Sequence, residues 1–257
     1  MSLLTQAQHA VARCVLDQEE HHRHHLVVSL SGAHAYGFPS PDSDLDLKAI
    51  HIEPTARLLA LSPPAASAAR PDVIDGVEID YTSNEVRQAL VGILQGNGNY
   101  IERVLGAIPL CAAREMEELR PIVHRALSRR VYRHYHGFAT GQLHEFEAAE
   151  GAPVKKILYL LRTTLTGTHL LRTGEVQTDV TKLLDSYGFA DAHELVAAKL
   201  AGERVCLAAS LKGRWMEAVK RAFAMLDEAH AQSPLPPDSL NRDEVEAWLV
   251  EARRRAW

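Results

Sequence analysis

The chain has 257 residues, 46% hydrophobic and 24% charged, with a formal charge of -5; that length can bury one large core or two smaller ones, and that charge excludes a general attraction to nucleic acid, so any such contact is local. Cys14, Cys111 and Cys206 are widely spaced and include no C-x-x-C pair, which points to reduced thiols and away from a disulfide framework or zinc site. No apolar run reaches the length of a membrane span, and the amphipathic start lacks a signal peptide's charged head and apolar centre, so a cytoplasmic protein without a membrane partner is expected.

Residues 3–20 have helical spacing, with Leu4, Ala7, Val11, Cys14 and Val15 on one stripe. The histidine-rich "HHRHH" of residues 21–25 lacks matching metal ligands and reads as a solvated linker. A short strand runs from Leu26 and stops at Gly32; "LDLKAIHI" from Leu45 alternates imperfectly and reads as a second strand. The Ala/Pro-rich residues 61–72 read as a surface loop. "VEIDYTS" from Val77 is a third strand, followed by a helix from about Asn84 that Ser83 or Asn84 can cap. "LQGNGNYIERVLG" combines a loop at residues 96–99 with a short helix, and beyond about residue 112 β signals nearly vanish in favour of helical patterns. The fold class is α+β: a mixed sheet with flanking helices over residues 1–110, then an all-helical region over residues 111–257. The closing "RRRAW" reads as a frayed tail.

The chemistry concentrates in "SLSGAHAYGFPSPDSDLDLKAIHI", residues 29–52. Asp44 and Asp46 are two apart, so both point to one face of the second strand. Carboxylates held together repel unless a cation sits between them, and hard divalent ions want such oxygens while keeping positions open for substrate phosphates. Upstream, Gly32 and Gly37 bound a turn whose free N–H groups can cradle an anion. Asp80 on the third strand is placed to supply the third carboxylate of a two-metal site, with Glu78 of the same parity as a fallback. Asp42 and Ser43 belong to the turn. D-x-D alone also suits an ordinary capped turn; the order of strand, glycine turn, D-x-D strand and acid on a third strand is what carries the functional reading.

That run resembles the nucleotidyltransferases of the DNA polymerase beta superfamily, whose signature is a Gly-Ser turn followed by D-x-D. With "NGNYIERVL" and "KKILYLLRTTLTGTHLLRTGEV" added, the chain is similar to the RlaP or YcgL-like predicted nucleotidyltransferases, a group associated with RNA ligases and RNA repair. The resemblance implies a polymerase beta-like catalytic domain and magnesium or manganese held by Asp44, Asp46 and Asp80. It also implies an NTP bound by Ser31, Gly32, Ala33, His34, Tyr36 and Gly37, an RNA end as acceptor, and association with an RNA ligase. Ala33 departs from the pattern, standing where the family's serine bonds a triphosphate oxygen; backbone N–H groups, His34 or Ser31 are left to do so.

In the helical half, Lys155, Tyr159 and Arg162 fall at i, i+4 and i+7 on one face. They read either as a solvated basic face or, by the resemblance, as phosphate contacts, where arginine suits bidentate binding. Asn97, Asn99 and Glu102 are a loop and helix start in their own right and a family motif by resemblance. Arg125, Arg129, Arg130 and Arg133 are interleaved with Tyr132 and Tyr135, which suits either single-stranded nucleic acid or a helix packing its tyrosines inward. A protein or small-molecule acceptor, or a nucleotide or RNA sensor without turnover, are the alternative functions; Ala33 favours the sensor and the three retained aspartates oppose it.

Overall fold

A computed structural model of the chain describes residues 4–106, 108–202 and 205–257, which form two compact units built from separated stretches. The first comprises Met1–His34, Asp44–Ala126 and Ser239–Trp257; the second comprises Ala35–Ser43 and Leu127–Asp238.

The first unit begins with helix α1, Gln6–Glu20. Residue 3, the expected start, lies outside the described residues. Thr5 sets the boundary through a capping box: its hydroxyl accepts from the Gln8 N–H, and the Gln8 side chain accepts from the Thr5 N–H. Strand β1, His24–Leu30, is followed by the one-turn helix α2, Gly32–Tyr36, whose residues 35 and 36 already belong to the second unit, then β2, Leu45–Ile52, and the short α3, Thr55–Leu58. The remaining elements here are β3, Ser67–Ile74; β4, Val77–Glu85; α4, Val86–Leu94; α5, Gly98–Leu105; β5, Pro109–Ala112; and α6, Glu115–Arg125. The five strands form one mixed sheet in the order β3-β4-β2-β1-β5. Among the described residues of this sheet only β2 and β4 run parallel.

Three local expectations are corrected here. Residues 67–72, the later part of the expected 61–72 loop, belong to edge strand β3, because Asp75 and Gly76 both have positive φ (50° and 76°) and turn the chain so that Ile74 faces Val77. Those angles are those of a two-residue hairpin, and Pro71 is tolerated since the strand lies at the sheet edge. Glu85, not Ser83 or Asn84, caps α4, its carboxylate accepting from the Arg87 N–H at 2.8 Å; Ser83 and Asn84 are held in the β2–β4 ladder. His24 and His25 are not linker but open β1, with His25 buried.

The second unit is helical: α7, Val131–Ala148; α8, Val154–Thr173; α9, Thr181–Leu184; α10, His193–Leu200; and α11, Lys212–Gln232. A two-residue pairing of β6, Ala152–Pro153, with β7, Cys206–Leu207, is its sheet structure among the described residues. Helix α8 is buried around most of its circumference, with α7 and α11 against it. A Cβ on Gly167 would lie 2.7 Å from the Tyr135 Cβ, so glycine is what lets α7 and α8 approach. The wholly buried Lys199 donates to Ser40 Oγ at 2.6 Å, and Ser40 and Ser43 hydroxyls lie 2.9 Å apart. These bonds fasten the 35–43 stretch into this unit.

The chain then re-enters the first unit with α12, Arg242–Arg255. The "RRRAW" segment is therefore largely helix and not a frayed tail. Val245, Trp248 and Ala252 form its buried stripe; Arg253 donates to the Glu53 carbonyl at 3.1 Å and pairs with Glu85, and Arg255 pairs with Glu118 at 3.0 Å.

One face of the sheet carries buried polar pairs. His25 Nε2 lies 2.7 Å from the Tyr81 hydroxyl, and His51 Nδ1 lies 2.7 Å from Ser83 Oγ. Burial, reinforced by the Arg23 charge, lowers both histidines to about 4. The unfolded chain thus takes up protons between pH 6.5 and 4 that the native state refuses. Stability is full above pH 6.5 and falls as pH drops towards 4, by up to about 3 kcal/mol per histidine. We expect His51→Gln to flatten this dependence by about half; urea midpoints of both proteins at pH 7 and pH 5 measure it, and equal slopes would contradict the assignment.

Candidate active site

The register of the parallel β2–β4 pair places Asp46 directly beside Asp80, with Lys48 beside Thr82 one step further on the same face. Asp44 immediately precedes β2 and is exposed; Asp46 is half-buried and Asp80 is exposed. The Ser31 N–H donates to the Asp46 carbonyl at 3.0 Å, bringing the turn after β1 against the start of β2. At Gly32, φ is +60° and a Cβ would overlap the Asp46 carboxylate oxygen Oδ2. Only glycine provides both that backbone and that clearance.

The electrostatics follow from this crowding. Burial raises the Asp46 carboxyl above the ordinary carboxylate value, Asp80 and Asp44 push the same way, and Lys48 opposes them. The Lys48 ammonium donates to Asp80 Oδ2 at 2.7 Å and lies 3.4 Å from Asp46 Oδ1. This one ammonium faces the two strand carboxylates, and Asp44 adds a third carboxylate without a second cation beside it. The aspartates are therefore incompletely neutralised. Among the described residues no three His, Cys, Asp or Glu side chains stand together as a ready-made metal centre. The donor set at Asp44 and Asp46 nonetheless fits a hard divalent cation, being carboxylate oxygen only, with like charges left to offset.

The sequence candidates distribute as follows. Ser31, Gly32, Ala33, His34, Asp44, Asp46 and Asp80 belong to the first unit, with Ala33 and His34 buried. Tyr36, Gly37, Lys155, Tyr159 and Arg162 belong to the second. There Arg162 lies 3.8 Å above the Tyr36 ring, Tyr36 and Tyr159 meet edge-on at 5.6 Å, and Lys155 approaches Tyr159 at 5.9 Å. A Cβ on Gly37 would overlap Asp179. Asn97 caps α5 by accepting from the Asn99 N–H at 3.0 Å. The arginine-rich segment is not one helix: Arg125 ends α6 and pairs with Glu244, Arg129 donates to the Leu235 carbonyl, and Arg130 pairs with Asp238. Tyr135 is buried and Tyr132 stacks on His230 at 4.1 Å. Sequence reasoning missed Lys48 and Thr82; the available signal was parity, since each stands two residues beyond an aspartate of the cluster.

The family model described as RlaP, RNA repair pathway DNA polymerase beta family, matches residues 7–251. The chain belongs to that family. It is 29% identical over 166 residues to the uncharacterized protein MJ0002 of Methanocaldococcus jannaschii, covering 63% of this chain and 67% of that protein. A crystal structure of a nucleotidyltransferase-like protein from Exiguobacterium sibiricum aligns with 95% of this chain and 78% of its own, at 10% identity and a TM-score of 0.34. Membership gives the chain a nucleotidyltransferase-like lineage associated with RNA repair. Among the described residues no helix is long and apolar enough to cross a membrane.

Two stability effects are expected. Gly32→Ala should cost at least about 1–2 kcal/mol from the left-handed backbone alone, before the overlap with Asp46; denaturant titration measures it, and an unchanged midpoint would refute the close approach. Asp46→Asn, which removes a charge the fold disfavours, should raise the melting temperature in metal-free buffer at pH 7. A fall would show that Lys48 more than compensates the burial.

Proposed function

We propose that the protein is a divalent-cation-dependent nucleotidyltransferase that moves NMP from an NTP to an acceptor hydroxyl, an RNA end in the setting of RNA repair. The observation that supports this best is the side-by-side pairing of Asp46 and Asp80 across the parallel β2–β4 ladder, with Gly32 against Asp46. Asp44 and Asp46 would hold the cation, whose role when bound is to neutralise charge on the triphosphate and on the leaving pyrophosphate. The acceptor oxygen attacks the α-phosphorus in line, the bond to the β-phosphate oxygen breaks, and pyrophosphate leaves with the electron pair. Asp80, the most exposed strand carboxylate of the cluster, would orient the hydroxyl and take its proton.

Backbone N–H groups around Ser31 and Gly32 would contact phosphate in place of the serine hydroxyl that Ala33 lacks. In the second unit, Tyr36, Tyr159, Arg162 and Lys155 combine cationic and aromatic groups suited to a nucleotide. The family's repair association makes an RNA ligase the expected partner, and free thiols at Cys14, Cys111 and Cys206 suit the cytoplasm.

Incubation with each α-labelled NTP, magnesium or manganese, and pooled RNA tests this reading. Label should enter RNA, and Asp44→Ala/Asp46→Ala should reduce transfer at least about a thousandfold, as removal of charge-stabilising groups commonly does. Label entering the protein itself would redirect the acceptor to a polypeptide. Nucleotide binding without transfer to either would favour a small-molecule acceptor or a sensor.

A further inference from the structure

Lys48 occupies a position that a simple three-carboxylate metal site would leave to a cation. Its ammonium donates to Asp80 Oδ2 at 2.7 Å, lies 3.4 Å from the Asp80 carbonyl and 3.5 Å from Thr82 Oγ1, and reaches within 3.4 Å of Asp46 Oδ1. Thr82 Oγ1 donates to the other Asp80 oxygen, Oδ1, at 3.4 Å. Both Asp80 carboxylate oxygens thus have donors supplied by the protein. The Lys48 side chain is 18% exposed and that of Asp80 52%, so the ammonium sits on the inner side of the pair. Its place is fixed by the strand: Lys48 follows Asp46 by two residues and is paired in register with Thr82, which follows Asp80 by two.

Charge leads to the same arrangement. Three carboxylates and one ammonium carry at most two net negative charges, which one divalent cation neutralises; a second would leave the cluster positive before any nucleotide arrives. A lysine is a compact point charge on a flexible stem. It can hold a carboxylate in place and meet a developing negative charge, but it cannot activate a bound water as a metal does.

We propose that Lys48 takes the place of a second divalent cation: its ammonium, with the Thr82 hydroxyl, positions Asp80 for the acceptor hydroxyl, and one divalent cation binds at Asp44 and Asp46. This rests on the nucleotidyltransferase reading and adds a metal stoichiometry to it. Lys48 is a positioning residue, acting through Asp80. Asp80 is then a proton acceptor held by hydrogen bonds and not a metal ligand.

Equilibrium dialysis of the full chain against Mn2+ and the non-transferable analogue α,β-methylene-ATP, with manganese quantified by mass spectrometry, tests this. The wild type should retain one Mn2+ per bound nucleotide, Lys48→Met two, and Lys48→Arg one, the arginine restoring the fixed charge. Asp80→Asn should leave manganese affinity within about twofold, whereas Asp46→Asn should reduce it more than tenfold. Two Mn2+ in the wild type would overturn the role of Lys48 while leaving the transferase reading intact, as would a tenfold loss of affinity in Asp80→Asn. If Lys48→Met fails to fold by circular dichroism, the wild-type stoichiometry and the Asp80→Asn affinity still decide. Failure of the wild type to bind either nucleotide or Mn2+ would overturn the proposal together with the transferase reading.

Discussion

The site depends on one pairing, the parallel alignment of β2 with β4 in the register that sets Asp46 beside Asp80. A slip of one residue would turn one of the two carboxylates to the opposite face of the sheet. The register is held at both ends. At one, the Asp75-Gly76 hairpin fixes β4 against β3; at the other, Glu85, still paired with His51 in the ladder, caps α4 and pairs with Arg253. Between them Leu45, Leu47, Ile79 and Tyr81 are buried, so slippage would also expose apolar surface.

The two faces of these strands carry different chemistry for the same geometric reason. On one face the charged Asp46, Lys48 and Asp80 remain partly accessible, with Thr82 beside them; on the other His51, Tyr81 and Ser83 are buried and neutral. Period-two alternation keeps the groups apart, although they are adjacent in sequence. The histidines can therefore be held uncharged by burial within a few residues of a cluster whose proposed function requires charge.

Much of this was legible in advance. The glycine turn, D-x-D and third-strand acid were recognisable because each depends on local sequence and strand parity alone. What escaped was set by partners distant in sequence. Residues 67–74 have a loop-like composition and become strand only through pairing with β4. His25 looks solvated until Tyr81 and the covering elements bury it. The closing arginines look free until Glu85 and Glu118 stand opposite them. Asp75-Gly76 is the exception, a local hairpin signal overshadowed by the Ala/Pro-rich run before it. Lys48 was visible in sequence, but its partner Asp80 was linked to it only by the register.

The discontinuous composition of the first unit constrains the order in which the chain can fold. Helix α12 supplies Arg253 to Glu53 and Glu85 and places Trp248 in the core, yet it is made after everything else the unit contains. During synthesis the sheet emerges early and waits through the whole of residues 127–238 for its last helix. Contacts spanning that separation are the slow ones to form, and the interval leaves the Trp248-facing surface of the sheet unit uncovered. The helical unit, whose main stretch is continuous, can collapse during that wait, so the sheet unit should be most dependent on chaperones until α12 leaves the ribosome.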